Sequence, residues 1–418
     1  MKKYMNVAIL LFFVLNNKMF SQTYVNDYFR LKKQVLLEDN EKKAISVRGC
    51  KIVYTDDNLY LLDLSNEEKD KDIGKYLKLH KYSKDNKYTL LKVPIIQEKF
   101  LLFLSKDAYF KNYTISNNYL CLIEQMNVYI YKIDTSNNKV DFLHKVKYKN
   151  QGGKISFDFA KIEGNKLILM MCNMSSQSLK SREHTSILIY DILEKKIITE
   201  KILENPSGVE HVLFIPFQNM DYQNRYFAVA DFDNYKIKIY DNKNMQLLHT
   251  ISRVPQKWKP IENCEKCKEV AKTFDDDIKQ GKLYSIIGKL NQTTLSFSVI
   301  KRVNFLNDTT LLVCYENRVT DDYWDSEWYY DIWVYRNGKW IEKYVDLFAK
   351  GNRNSPQPNF CFSMNYVLNN GNLVFRNTTP FIIEPEDFNN LKSMEKKIED
   401  YFIDNPLKYS AFIYDFKN

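Results

Sequence analysis

The sequence predicts an all-β fold, a six-bladed β-propeller closed by an N-terminal strand in its last blade, with short helical insertions on one face. Three observations predict it. A strand-like motif with alternating apolar residues recurs six times along the 418 residues. Turn-forming Asn, Asp, Lys and Gly follow the motif and lead into another strand. The sixth copy stands next to the C-terminal end, so its blade is one strand short, while a spare strand-like segment lies within 24–37.

The copies, in order, end at His80, Tyr131, Tyr190, Tyr240, Tyr335 and Tyr414. Leu77 and Leu79 open the series, and Val128 with Ile130, Ile187 with Ile189, Ile237 with Ile239, Ile332 with Val334, and Phe412 continue it. Apolar side chains at every second position describe a strand with a buried face. Asn337-Gly338 and the Asn/Asp-rich stretches at 83–87 and 134–139 describe hairpins. Two further strands precede each motif. In the third unit these are 155–162 and 166–172, and in the fourth 211–217 and 225–231. Four antiparallel strands per repeat is the pattern of propeller blades, which must stack in a ring because one such sheet cannot bury both its faces.

Composition agrees. Hydrophobic residues make up 44% and aromatic residues 15%, with 30 Tyr and 26 Phe, which is enough for a large core and favours strands. The formal net charge of +9 includes Lys2, Lys3 and Lys18 of an N-terminal leader, and the remaining charges are mixed along the chain. No Arg-rich stripe or nucleic-acid motif is present, so a nucleic-acid partner is not expected. Lys2 and Lys3 precede an apolar run, Val7–Leu15, too short to span a bilayer. We read residues 1–21 as a signal peptide and 22–418 as a single propeller domain, secreted or otherwise extracytoplasmic and without a later membrane span.

Antiparallel blades divide the connections between two faces. Turns between strands 1 and 2 and between strands 3 and 4 open on one face. Connections between strands 2 and 3, and from blade to blade, open on the other. The first class is short here, with 218–224 the one exception. The long segments, 65–74, 173–184, 254–294, 316–327, 348–360 and 377–407, belong to the second class. Insertions gathered on one face of a repeat fold mark its binding face. Two of these segments, 262–280 and 388–402, carry apolar residues at helical spacing and are read as helices capping the ring.

Candidate site residues fall on the same face. Tyr323, Trp324, Asp325 and Glu327 form the densest aromatic and acidic loop of the chain, suited to stacking on a ligand and accepting its hydroxyls. Asp233 lies in a DFDN turn, and His184 ends the charged loop tip Arg182–His184. Cys264 and Cys267, three apart, are read as a local disulfide. A zinc site would need two more ligands, which no second CxxC or HxxxH supplies. Cys121 and Cys314 sit in apolar strand patterns and read as buried hydrophobes. No catalytic residue is assigned.

The terminal repeats Ile187–Asp191, Ile237–Asp241 and Phe412–Asp415, with their turns, resemble those of secreted bacterial six-bladed propellers over residues 24–418. That broad group includes NHL-type and lactonase-like proteins. Its enzymes hold a central metal through inner-strand Glu, Asn and Asp, a set without a residue-by-residue counterpart here. The resemblance implies blades rather than an activity. Two functions follow as expectations. One is a binding module without cofactor, recognising a peptide, glycan or envelope partner on the loop-rich face. The alternative is a metal-dependent hydrolase or lyase, with Ca²⁺ or Zn²⁺ at the central channel.

Overall fold

The structure, a computed structural model, describes residues 25–43, 51–63, 76–95, 112–116, 118–124, 127–146, 154–174, 182–203, 220–231, 234–260, 297–318, 326–349, 366–369, 372–377 and 410–417, with isolated positions between them. They form six four-stranded antiparallel sheets. The described part opens with a 3-10 turn, Val25–Tyr28, and β1 (Phe29–Leu36). Blade 1 follows as β2 (Lys51–Thr55), β3 (Asn58–Asp63), β4 (Tyr76–Tyr82) and β5 (Tyr88–Pro94). Blade 2 comprises β6 (Asn112–Ile115), β7 (Tyr119–Glu124), β8 (Asn127–Asp134) and β9 (Lys139–Lys145). Blade 3 is β10 (Lys154–Glu163), β11 (Lys166–Met174), β12 (Arg182–Asp191) and β13 (Lys196–Leu203).

In blade 4 the strands are β14 (Met220–Gln223), β15 (Tyr226–Ala230), β16 (Lys236–Asp241) and β17 (Leu247–Ser252). Blade 5 has β18 (Val299–Asn307), β19 (Thr310–Arg318), β20 (Ser326–Arg336) and β21 (Lys339–Ala349). The last blade joins β22 (Tyr366–Asn369), β23 (Asn372–Asn377) and β24 (Ser410–Phe416) to β1. All six copies of the sequence motif are third strands. The spare N-terminal segment is the missing fourth strand, running antiparallel to β24 from Phe29 opposite Phe416 to Leu36 opposite Ser410.

First strands of neighbouring blades touch (β2 with β6 and β22, β6 with β10, β14 with β18), which puts them innermost. Six hydrophobic clusters fill the six gaps between blades, one per gap. In β3, Leu59 and Leu61 face blade 6 while Tyr60 and Leu62 face blade 2, so both sides of the strand are core. The seam packs like the other gaps: Val35, Leu37, Ala411 and Ile413 of blade 6 meet Ile52, Tyr54 and Leu61 of blade 1.

The tight turns follow local chemistry. Asp56-Asp57 (φ 50° and 58°) and Asn337-Gly338 (φ 51° and 78°) are two-residue hairpin turns in the left-handed conformation. Their twist matches that of the flanking strands. Where the motif ends in Asp, the carboxylate folds the next turn. Asp191 Oδ1 accepts the amides of Leu193 and Glu194 at 2.9 Å each, and Asp241 Oδ1 accepts that of Lys243 at 2.8 Å. The recurring Tyr-Asp is thus a blade-building signal.

Several expectations are corrected. The first strand of blade 4 is Met220–Gln223, and 211–217 lies outside the described residues. The supposed long turn 218–224 shrinks to Asn224-Arg225, because Asp221 faces a lysine and a backbone amide of neighbouring inner strands rather than solvent. Arg182–His184 is strand rather than loop tip, His184 pairing with Asn173, and Glu327 lies in β20 opposite Asn317. Ladder hydrogen bonds outweigh the polar composition of both stretches. The two stretches read as helical fall almost wholly outside this description: 388–402 lies outside the described residues, as does 262–280 but for Glu269, Thr273 and Gln280.

Candidate functional site on the loop-rich face

The strand limits sort every connection. On one face the longest link within a blade is five residues, at 83–87 and 242–246. The other face receives 64–75, 175–181, 319–325 and 378–409 between second and third strands. It also receives 95–111, 204–219, 253–298 and 350–365 between blades. This confirms the asymmetry and strengthens it, since the one long exception has gone.

Tyr323, Trp324, Asp325, Asp233, Cys264 and Cys267 lie outside the described residues. By chain position, the first four belong to the connections between second and third strands of blades 5 and 4. Glu327 flanks the same connection in blade 5, accepting the Tyr329 hydroxyl at 2.7 Å. His184 flanks the corresponding one in blade 3. The six ligand candidates therefore map to one sector of three consecutive blades.

The described frame of that sector is a polar cluster between blades 4 and 5. Arg253, just past β17, donates Nε and Nη2 to Asp331 of β20 at 2.8 and 2.7 Å, and Nη2 to Asp346 of β21 at 2.5 Å. Tyr235 donates its hydroxyl to Asp331, Tyr315 donates to Asp346 at 2.6 Å, and Trp333 Nε1 donates to the Tyr235 hydroxyl at 3.1 Å. Asp331 is completely buried. Burial pushes its carboxyl above the usual range, against the pull of Arg253, Tyr235 and the Asp346 amide. At Asp346 burial acts in the same direction, but hydrogen bonds from Arg253 and Tyr315 win and hold the carboxyl below its ordinary value. Every carboxylate oxygen of the cluster has a donor, as a buried charged group requires.

This staple stands at the start of the chain's longest connection between strands, 253–298. Trp258 packs edge-on against Tyr235 and Tyr315, with centroids 5.8 and 5.7 Å away. Asn317 donates Nδ2 to the Lys257 carbonyl at 2.9 Å and accepts the Ser298 hydroxyl. The Lys259 amide donates to Ser298 Oγ at 2.7 Å, and the Ser298 amide to the Lys259 carbonyl at 2.8 Å. The segment carrying Cys264 and Cys267 thus leaves and returns through one pinned neck.

Sequence reasoning missed this frame. The available signal was Asp331 itself, a charge at an interior strand position between Tyr330 and Ile332. Its partners come from residues 15 to 96 positions away, which no local pattern reveals.

Two more acids near the inner strands are engaged by lysine. Glu316 is 2.6 Å from Lys301 Nζ, and Asp221 is 3.2 Å from Lys161 Nζ while accepting the Phe305 amide at 2.8 Å. Among the described residues, no three His, Cys, Asp or Glu side chains lie close enough to share a metal ion. Cys121 and Cys314 are buried and unpaired, and burial pushes both thiols up, that of Cys314 to about 12.

No protein-family model matches the chain, and no curated protein does. Solved structures do. A candidate exported protein from Bacteroides fragilis aligns with a TM-score of 0.51 at 11% identity, covering 95% of this chain and 98% of its own. A Bacteroides caccae protein of unknown function aligns at 0.38 and 12% identity, over 76% and 81% of the two chains. The β-propeller domain of the Trilobed protease from Pyrococcus furiosus aligns at 0.37 and 8% identity, over 83% and 78%. At such identities the first likeness speaks to fold alone, and it agrees with what the sheets show: this chain is a six-bladed β-propeller.

Proposed function

We propose that this propeller is an extracytoplasmic binding module that recognises a peptide, glycan or envelope partner across its loop-rich face. The observation that carries the reading is the segregation of all long connections to one face, above a rigid inter-blade frame. Binding loops on a fixed scaffold combine variable chemistry with low reorganisation cost. Tyr323 and Trp324 supply stacking faces in this reading, while Asp325, Glu327, Asp233 and His184 supply polar contacts. Cys264 and Cys267 form a disulfide that stiffens the pinned insertion. The leader at 1–21 directs export, which fits the candidate exported B. fragilis protein of like fold. Among the described residues, no helix is long and apolar enough to cross a membrane.

The test is binding of the purified chain to isolated peptidoglycan and to immobilised glycan and peptide panels. Trp324→Ala and Asp325→Ala should weaken the observed binding at least about tenfold, the loss of one good contact. Thr135→Lys and Glu194→Lys, on the short-turn face, should leave it unchanged. Loss through the short-turn variants, or no binding to any surface, overturns the reading. Elemental analysis should find no stoichiometric Ca²⁺ or Zn²⁺; finding either would move the function to a metal-dependent hydrolase or lyase.

A further inference from the structure

A second site lies at the seam where the ring closes, two blades away from the Arg253 cluster. Between β1 with its following turn and the β4–β5 hairpin lies a half-open cleft of about 670 Å³. That is the size of pockets that hold small ligands. Gln34, Glu38, Asp39, Asn86, Lys87 and Tyr88 line it, with Tyr82 at its floor.

Both rims are tied down. The Tyr82 hydroxyl donates to the Glu38 carbonyl at 3.1 Å, and Lys33 Nζ donates to the Ser83 and Lys84 carbonyls at 3.2 and 2.7 Å. Asp39 Oδ1 accepts the amides of Glu41 and Lys43 at 2.8 and 2.9 Å, which folds one rim. Asn86, left-handed at φ 60°, turns the other. A cleft cross-tied in this way is preformed, so a ligand entering it orders little.

The chemistry of the lining selects the ligand. Glu38 and Asp39 are offset by Lys42 and Lys87, so the cleft carries no net formal charge. It presents amide and ammonium donors beside carboxylate and carbonyl acceptors, together with a tyrosine ring. A neutral molecule with many hydroxyls and one apolar face matches that set, whereas an anion or cation meets a like charge on one wall.

His80 adds a second observation. It lies behind Tyr88, more than nine-tenths buried, with Nδ1 3.0 Å from the Tyr88 hydroxyl oxygen and Nε2 without a partner. Burial disfavours its charged form, so one ring nitrogen carries the proton. In the tautomer that carries the proton on Nδ1, this hydrogen bond runs from His80 to Tyr88 and leaves the Tyr88 O–H free to donate into the cleft.

We propose that the seam cleft binds a neutral saccharide unit, with the Tyr88 ring against one sugar face and Gln34, Asn86 and the Tyr88 hydroxyl on its hydroxyl groups. Saturation-transfer NMR on the full chain tests this. The neutral probes are methyl β-galactoside, methyl β-glucoside and N-acetylglucosamine, with glucosamine and glucuronate as charged counterparts. At least one neutral probe should bind, and its charged counterparts should bind about tenfold more weakly or not at all. Tyr88→Ala should abolish the signal. Asn86→Gly, which keeps the left-handed turn but removes the amide, should weaken binding about tenfold. Should Tyr88→Ala fail to fold, Gln34→Ala at an exposed position takes its place. Trp324→Ala should bind as the parent chain does. Silence from all neutral probes, equal binding of the charged sugars, or parental binding by the cleft variants overturns the proposal. Loss through Trp324→Ala with retention in the cleft variants overturns it too, while leaving the loop-face reading intact.

Discussion

Arg253 is the residue on which the described frame of the loop-rich face turns. Its guanidinium bridges two carboxylates on different strands, one wholly buried, and lies 5.1 Å from the Tyr235 ring centroid. Arg253→Met would leave Asp331 buried without its counter-charge. We expect it to cost about 3–5 kcal/mol in chemical denaturation, as for other broken buried pairs. Asp346 gives the cluster a pH signature. Its folded-state pKa lies below the ordinary 3.8, so the stability it contributes is full above that value and is lost as pH falls through the folded pKa. Unfolding followed against pH should therefore show a shallower acid slope for Asp346→Asn than for the parent chain; an unchanged slope would remove Asp346 from the titrating set.

At the scale of elements, the closing strand decides whether there is a ring. β1 pairs with β24 along its whole length, through an irregularity between Leu31 and Lys33. Without it β24 would be a bare edge open to pairing with other chains. Ile413, fully buried and opposite Lys33, marks the seam core. Ile413→Ala should cost about 2–5 kcal/mol, the usual range for truncating a buried isoleucine. Ile202→Ala, on the outer strand of blade 3 and 60% exposed, should stay within about 0.5 kcal/mol. Equal costs, measured by denaturant titration, would mean that the seam is not packed as the other gaps are.

The elements were also where the sequence was most readable. Third strands announce themselves because apolar residues alternate along them and an aromatic followed by a turn-forming Asp closes several of them, so Ile187–Tyr190 and Ile237–Tyr240 stand out. First strands do not. Met220–Gln223 reads MDYQ, with a charged and an amide residue among four, and nothing local separates it from a turn. Its Asp221 is held by Lys161 and by the Phe305 amide, from the strands on either side of it around the axis. Those partners lie 60 and 84 residues away.

For the whole molecule, period-two alternation and repeated turns set the blade, the number of motif copies set six blades, and the lengths of the connections set which face carries the long loops. All three are local or countable properties of the chain, because strand burial and turn geometry depend on residues a few positions apart. Tertiary structure alone decided which charges meet. The Arg253 staple, the pinned neck at Lys259 and Ser298, and the seam cleft beside Tyr88 each join residues separated by tens of positions. Charged side chains pair only where packing has removed water and brought them within reach, and that depends on the closed ring rather than on any segment of it.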